Sequence, residues 1–271
     1  LMGYYMYVGG SNPVGQKRTY QSSGPRISYD YQAPVREFGT LGTVMQETKK
    51  YNYFMNDFGP SLAPAVAYLP TSNQKRGNLQ WAVRTDGKSG YLFCSNILYR
   101  RHRQDFKNVR FTVKLKDETL RIPRKYATVQ PVCSMKEGNE TTYFFFEDDG
   151  IAGEYFLSAE GIDKVETVHA ACKKEKNGWF INALRPGKDC VVTLNCTDGS
   201  IVRLVTLTEE ESDQLWKGTN NGEDYVILTT SSLISDGKKI TLIDEQSSAE
   251  AWIYGKGQFK KRTFQGEPRS L

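Results

Sequence analysis

Five residues near the start, Tyr4-Tyr-Met-Tyr-Val8, constrain this chain more than any others. They are strongly β-prone and alternate too little for a half-exposed strand, so they predict a strand buried on both faces, with a neighbour on each side. The run leads into Gly9-Gly10, where the backbone is free to take positive φ or to approach a ligand closely, and Ser11 and Asn12 place hydrogen-bonding groups at that corner. After a polar loop, Ser28-Tyr-Asp-Tyr-Gln-Ala-Pro34 returns with two aromatic rings flanking a carboxylate. Such a cluster offers a sugar both a stacking wall and acceptors for its hydroxyls. Strand, glycine corner and polar loop together read as the rim of a barrel, whose ligand sites lie at the C-terminal ends of its strands. Taken alone, Gly9-Gly10 also serves as an ordinary tight turn.

Composition excludes several classes. At 271 residues, with 25% charged residues and a mean hydropathy of −0.56, the chain has the make-up of a globular protein and the length for two modest domains. Its longest apolar runs are about six residues, against the ~20 that a membrane-spanning helix needs, so no membrane span is expected. The net charge of +5 is modest. The one basic cluster, Arg100-Arg-His-Arg103, is followed by an alternation of Arg110, Lys114 and Lys116 with Val109, Phe111, Val113 and Leu115, the pattern of a strand with one wet face. No nucleic-acid partner is implied. Cys190 and Cys196 share one strand-like run, which sets them ~20 Å apart when extended, beyond the ~7 Å that a disulfide allows. Cys94, Cys133 and Cys172 are scattered, there is no C-x-x-C pair, and the chain has only two histidines. Free thiols and no metal or other cofactor follow as the expectation. Asn139-Glu-Thr141 and Asn195-Cys-Thr197 fit the glycosylation sequon, which has meaning only in a protein secreted by a eukaryote.

Residues 41–58 read as a helix, with Leu41, Val44, Thr48, Tyr51, Phe54, Met55 and Phe58 at spacings of three and four. Asp57-Phe-Gly-Pro60 is expected to close it, Gly59 as a left-handed cap and Pro60 as the stop. The polar stretch 70–78 reads as a linker. Beyond it, short β-rich runs are predicted over Leu79–Arg84, Tyr91–Asn96, Val109–Leu115, Thr141–Phe146, Trp179–Leu184, Val191–Leu194, Ile201–Leu207, Tyr225–Thr229, Ile240–Ile243 and Ala251–Tyr254. Asp86-Gly87, Asp198-Gly199 and Asp236-Gly237 mark hairpins. One helix is predicted over Thr208–Trp216, opened by a Thr208/Glu211 capping box. Trp81, Phe93, Tyr143, Phe145, Trp179 and Trp252 could form a sugar-stacking platform, but each falls in a predicted strand, where core packing explains it more simply.

On these residues the chain resembles the C-terminal part of glycoside hydrolase family 35, the β-galactosidase family. Residues 3–34 are similar to the last barrel strand and its tyrosine-bearing loop, and 41–69 to the following helix with its Asp57-Phe-Gly59 and Leu62-Ala-Pro64 segment. Leu79-Gln-Trp-Ala-Val-Arg84, Ser89-Gly-Tyr-Leu-Phe93 and Tyr126-Ala-Thr-Val-Gln-Pro131 resemble the β-domain that follows. The likeness is close to about residue 150 and loose beyond. It implies a mainly β chain: the terminal β/α unit of a (β/α)8 barrel over 1–69, a linker over 70–78, and an antiparallel β-sandwich-type region over 79–271, with a further division near 150–175 left open.

The resemblance also implies a function, the C-terminal portion of a retaining exo-glycosidase that removes terminal β-linked galactose from glycans. Tyr5, Tyr31 and Asn12 would line the sugar site and Asp30 would support it by orienting the flanking tyrosines. The family's two catalytic glutamates stand on barrel strands that would lie upstream of Leu1, so no catalytic residue is assigned within these 271 residues, and the isolated chain is expected to be inactive. Asp30 and Glu37 are the only carboxylates near the rim, and Glu37 is expected to face solvent. Glycan-degrading members of the family are commonly exported to the periplasm, the medium or the lysosome. Two features depart from the pattern: Pro13 follows the corner where the family places an aromatic residue, and the stretch between Ile122 and Tyr126 is short. The alternative reading is a non-catalytic carbohydrate-binding or structural β-module.

Overall fold

The computed structural model describes residues 4–13, 27–74, 77–87, 89–97, 100–102, 111–114, 119–121, 129–147, 153–157, 161–175 and 178–266. The chain is mainly β, with antiparallel sheets. It divides into two compact units: Leu1–Tyr53 with Glu210–Gly255 and Phe259–Leu271, and Phe54–Glu209 with Lys256–Gln258. The Ile122–Tyr126 stretch lies outside the described residues.

Helix α1 (Val44–Leu62) has its residues up to Tyr53 in one unit and those from Phe54 in the other. Its first turn closes through the Met45 and Gln46 amides, which donate to the carbonyls of Gly42 and Thr43. The expected stop at Gly59-Pro60 does not occur. Gly59 has no left-handed φ, and the helix continues through Pro60 to Leu62. Proline here costs one amide donor, toward the carbonyl of Asn56, and Asn56 is exposed, so water can take the donor's place.

In the second unit, β1 (Val66–Tyr68), β2 (Gln80–Thr85) and β3 (Gly90–Ser95) form an antiparallel sheet. The 70–78 segment carries a 3-10 turn at Thr71–Gln74, and the Asn73 amide group both donates to and accepts from the backbone of Trp81. It is therefore tied to β2. A two-stranded ribbon follows, β4 (Thr112–Lys114) with β5 (Thr119–Arg121).

The main body of this unit has a five-stranded sheet and a three-stranded one. The first contains β6 (Val129–Glu137) and β7 (Glu140–Glu147); the second begins with β8 (Gly153–Leu157). Then come β9 (Ile162–Val168), β10 (Ala171–Glu175), β11 (Gly178–Ala183), β12 (Val191–Cys196) and β13 (Ile201–Leu207). The orders are β6-β7-β13-β12-β9 and β10-β11-β8, antiparallel except for the parallel β7–β13 pair. Alternation explains the core between them. Val192 and Leu194 of β12 and Leu204 of β13 pack with Ile181 of β11, joined by Tyr143 and Phe145. Phe144 and Phe146 point to the other face of β7 and are buried too. The Phe144-Phe145-Phe146 run thus belongs to an interior strand, as its lack of polar positions predicts.

The first unit combines the N-terminal rim with the C-terminal strands. After α2 (Glu209–Asp213) come β14 (Leu215–Asn220), β15 (Glu223–Leu228), the hairpin β16 (Ser232–Ser235) and β17 (Ile240–Ile243), then β18 (Ser248–Gly255) and β19 (Gln258–Gln265). The sheet order is β14-β15-β18-β19. Trp216, Ile227, Leu233 and Ala251 form its core, against which Leu41 and Met45 pack. The predicted helix over Thr208–Trp216 is cut short at Asp213. Leu215 and Trp216 pair with Leu228 and Ile227 in the β14–β15 ladder, which buries both. Burial of two large apolar side chains outweighs a further half-turn of helix.

Phe144 has no exposed surface and sits on a strand paired on both sides, by β6 and β13. Phe144→Ala is expected to lower the unfolding free energy by about 3–5 kcal/mol in urea titrations followed by far-UV circular dichroism.

Candidate functional site

The Tyr4–Val8 run does not form the expected doubly buried strand. Among the described residues its ladder contact is one parallel bridge, Val8 with Val35, and Tyr5 is 98% exposed. The tyrosines divide instead by contact. Tyr4 donates to Asn52 Oδ1 (3.1 Å), Tyr7 donates to Met45 Sδ (3.5 Å), and their rings lie 5.4 Å apart, so both dock on α1 while Tyr5 projects to solvent. Burial, helped by the neighbouring Tyr4, raises the Tyr7 phenol above its ordinary pKa. The physical reason for the difference is that no strand of the described residues flanks the run on either side, and docking on α1 is the burial that remains.

The glycine corner is folded against the returning loop. Gly9 N donates to Val35 O (2.8 Å), Tyr29 N to Gly10 O (3.0 Å) and Asn12 N to Ile27 O (2.6 Å), with Ser11 and Ser28 bridged antiparallel. A Cβ on Gly9 would stand 2.4 Å from Asp30 Oδ1 and 2.9 Å from the Glu37 amide nitrogen, and one on Gly10 would stand 2.7 Å from the Tyr29 ring. Both glycines are therefore required by close approach, not by positive φ.

Two carboxylates hold this corner. Asp30 accepts the Glu37 amide on Oδ1 (2.8 Å) and the Arg36 guanidinium on Oδ2. Partial desolvation works to raise its pKa, but the Glu37 amide and the Arg36 cation outweigh it and hold the carboxyl below the ordinary range. Glu37, expected in solvent, is half-buried and accepts hydrogen bonds from the Ser11 and Ser28 hydroxyls, one on each oxygen. Its two serines come from the two arms of the rim, so one side chain staples them. Asp30 acts on the corner through Glu37 and Arg36.

The Asp30–Ala33 turn presents Tyr31. The Ala33 amide donates to Asp30 O (2.9 Å), and the two central residues, Tyr31 (φ 45°) and Gln32 (φ 56°), are both left-handed. This is the primed turn that tight hairpins favour, built here without glycine, and two left-handed side-chain-bearing residues store strain. Tyr31 is 59% exposed at the tip. The hairpin thus brings Asn12 and the Tyr29–Tyr31 turn onto one rim, while Tyr5 stands four residues ahead of Gly9. Ser11, Ser28, Arg36 and Glu37 carry the rim; the sequence placed Ser11 at the corner and Glu37 near it but in solvent, and gave Ser28 and Arg36 no role. Their pairing spans up to 26 positions, which no local pattern reports.

No group of three or more His, Cys, Asp or Glu among the described residues is placed to hold a metal, and the five cysteines are free. No protein-family model matches the chain, and no curated protein matches it in a sequence comparison.

A second polar cluster lies on α1. Lys50 donates to Asp213 Oδ1 (2.7 Å) and Glu47 Oε1 (3.3 Å). Lys49 is only 2% exposed and lies 4.1 Å above the Trp216 ring centroid; its Nζ has no hydrogen-bond acceptor. Burial, with repulsion from Lys50 and against the pull of Asp213, lowers its pKa from 10.5 to about 7.

Three outcomes follow. Gln32→Gly removes one strained residue and is expected to raise stability by about 1 kcal/mol, read as a shift of the urea midpoint. Gly9→Ala drives a methyl group into Asp30 and is expected to disorder the corner, seen as loss of the Ser28 and Glu37 amide signals by NMR while β-sheet signals persist. For Lys49, the unfolded chain binds more protons than the folded one between about pH 7 and 10.5, so its penalty is full below that window and fades as pH rises through it. Lys49→Met is therefore expected to be more stable than the wild type by about 2–3 kcal/mol near pH 6, an advantage that shrinks toward pH 10 in parallel denaturation curves.

Proposed function

We propose that this chain is the C-terminal portion of a retaining exo-glycosidase of the β-galactosidase type, similar to glycoside hydrolase family 35, with residues 1–69 as the terminal unit of its catalytic barrel. The observation that carries this reading is the rim itself: a Gly-Gly-Ser-Asn corner packed on a Tyr-Asp-Tyr turn, clamped by two fully engaged carboxylates, with Tyr31 exposed at its tip. An exposed, strained aromatic beside polar backbone suits the apolar face and hydroxyl edge of a pyranose.

Retaining hydrolysis needs two carboxyl groups ~5–5.5 Å apart, one of them an acid with a raised pKa. Asp30 is held ionised by the Glu37 amide and by Arg36, and both Glu37 oxygens are taken by serines. These groups are suited to shaping a pocket and not to proton transfer, so the acid/base and nucleophile are assigned to chain beyond these residues. Tyr31 and Asn12 would bind the terminal sugar, Tyr5 would close its aromatic wall, and Asp30 would support the turn.

A second reading has its own observation. In the other unit Tyr91 and Phe93 stack with centroids 6.4 Å apart and Phe93 exposed, a geometry that also serves a non-catalytic carbohydrate-binding module.

The test uses the product of the complete gene. It is expected to hydrolyse an aryl β-galactoside with retention of anomeric configuration, followed by NMR, with Tyr31→Phe and Asn12→Ala each lowering kcat/KM by about 10–100-fold. The 271-residue chain alone is expected to show no turnover. Hydrolysis by that chain, abolished by Asp30→Asn, would overturn the assignment of catalysis elsewhere. Absence of any glycosidase activity, with galactose perturbing Phe93 and not Tyr31, would establish the binding module instead.

A further inference from the structure

Lys49 is the most anomalous group among the described residues. An ammonium is almost never fully buried without an ion pair, because desolvation costs more than packing returns. Here the ammonium of the next residue, Lys50, takes the carboxylates of both Asp213 and Glu47, and Lys49 Nζ is left against the Trp216 ring with no acceptor. One helical turn earlier, Gln46 holds a second buried atom without a partner, its amide oxygen Oε1. Residues three apart share a helix face, so an unpaired donor and an unpaired acceptor stand on the same side of α1. The Trp216 ring that Lys49 overlies belongs to a core against which Leu41, Met45 of α1, and Tyr225 and Ile253 of the sheet pack.

We propose that Lys49 is a carbon dioxide-binding lysine, its buried ε-amine reversibly carboxylated to a carbamate that Lys50 and Gln46 stabilise. The lone pair of Nζ attacks the carbon of CO2, an N–C bond forms, one C=O π pair moves onto oxygen, and one N–H proton passes to solvent. No oxidant or reductant enters, and protonation of the nitrogen reverses the step. The reaction needs a neutral amine, and burial supplies it near neutral pH, where an exposed lysine is almost wholly protonated.

Exposure selects the electrophile. At 2% exposure an open-chain sugar or other aldehyde has no access to Nζ, whereas CO2 is small and uncharged. Charge then selects the product. Lys50 is nearly buried and repels a protonated Lys49, and a carbamate turns that repulsion into attraction while offering Gln46 Oε1 an N–H. Of the other titratable groups around the site, Glu47 and Asp213 are already engaged by Lys50, and Tyr225 belongs to the Trp216 core.

The product of the complete gene is equilibrated with 13C-bicarbonate at about pH 8 and treated with triethyloxonium, which fixes carbamates as ethyl esters, before digestion and mass spectrometry. The expected result is a labelled ester on the peptide containing Lys49, lost at about pH 6 and lost when the protein is denatured before labelling. The N-terminal amine serves as an internal positive control. Lys50→Met is expected to lower occupancy about tenfold, and Lys49→Met to abolish it with the N-terminal adduct unchanged. Label on the N-terminal amine with none on Lys49 of the folded wild type would overturn the proposal, as would equal label on Lys49 before and after denaturation. Because the decisive comparison uses wild-type protein, it does not depend on the variants folding.

Discussion

The carboxylate of Asp30 occupies the space that a side chain at residue 9 would fill, and the geometry of the rim depends on that contact. With Gly9 in place, one oxygen reaches the Glu37 amide and the other the Arg36 guanidinium. That sets Glu37 where its own carboxylate meets Ser11 on one arm and Ser28 on the other. Each hydrogen bond is worth little by itself in water. Their cooperation fixes a corner whose backbone pairing amounts to isolated bridges rather than a ladder, and that holds the Asp30–Ala33 turn in a strained conformation with Tyr31 displayed.

Helix α1 shows how one amphipathic element serves two environments. Leu41 and Met45, at and before its start, pack on the Trp216 core. Further along, Phe58 stacks on Tyr143 and Asp57 accepts the Ser134 amide (2.6 Å), which anchors the helix to β6 and β7. Lys49 and Lys50 fall on the buried side of the first half. Lys50 meets the cost of desolvation with two carboxylates, and Lys49 meets it by losing charge. Adjacent residues of the same type thus come to different protonation behaviour because Lys50 Nζ bonds the Asp213 and Glu47 carboxylates and Lys49 Nζ bonds neither.

Strands were legible where burial and turn chemistry agree. The runs around Phe144-Phe145-Phe146, Val191–Leu194 and Ile201–Leu207 are interior strands, and Asp86-Gly87, Asp198-Gly199 and Asp236-Gly237 all sit at antiparallel turns, each glycine with φ between 82° and 96°. Strands such as β10, Ala-Cys-Lys-Lys-Glu, and β19, Gln-Phe-Lys-Lys-Arg-Thr-Phe-Gln, were not legible. Both are sheet edges, where charge guards against pairing with other chains and so hides the strand from a hydrophobicity pattern. Tyr4–Val8 misled in the opposite sense: its β propensity is high, but propensity is expressed only where neighbours complete the ladder.

The amino-acid sequence by itself determined that the chain is mainly β, where its hairpins turn, that a helix follows the rim, and that glycines stand at residues 9 and 10, because these rest on interactions between residues a few positions apart. Tertiary structure alone decided which side chains the glycines make room for, that Glu37 joins two arms of the rim, that the C-terminal strands share a core with the start of α1, and that Lys49 is buried beside Trp216. Those contacts join residues tens to nearly two hundred positions apart. Their energies depend on desolvation and on the company each polar group keeps, and neither quantity exists until the chain has folded.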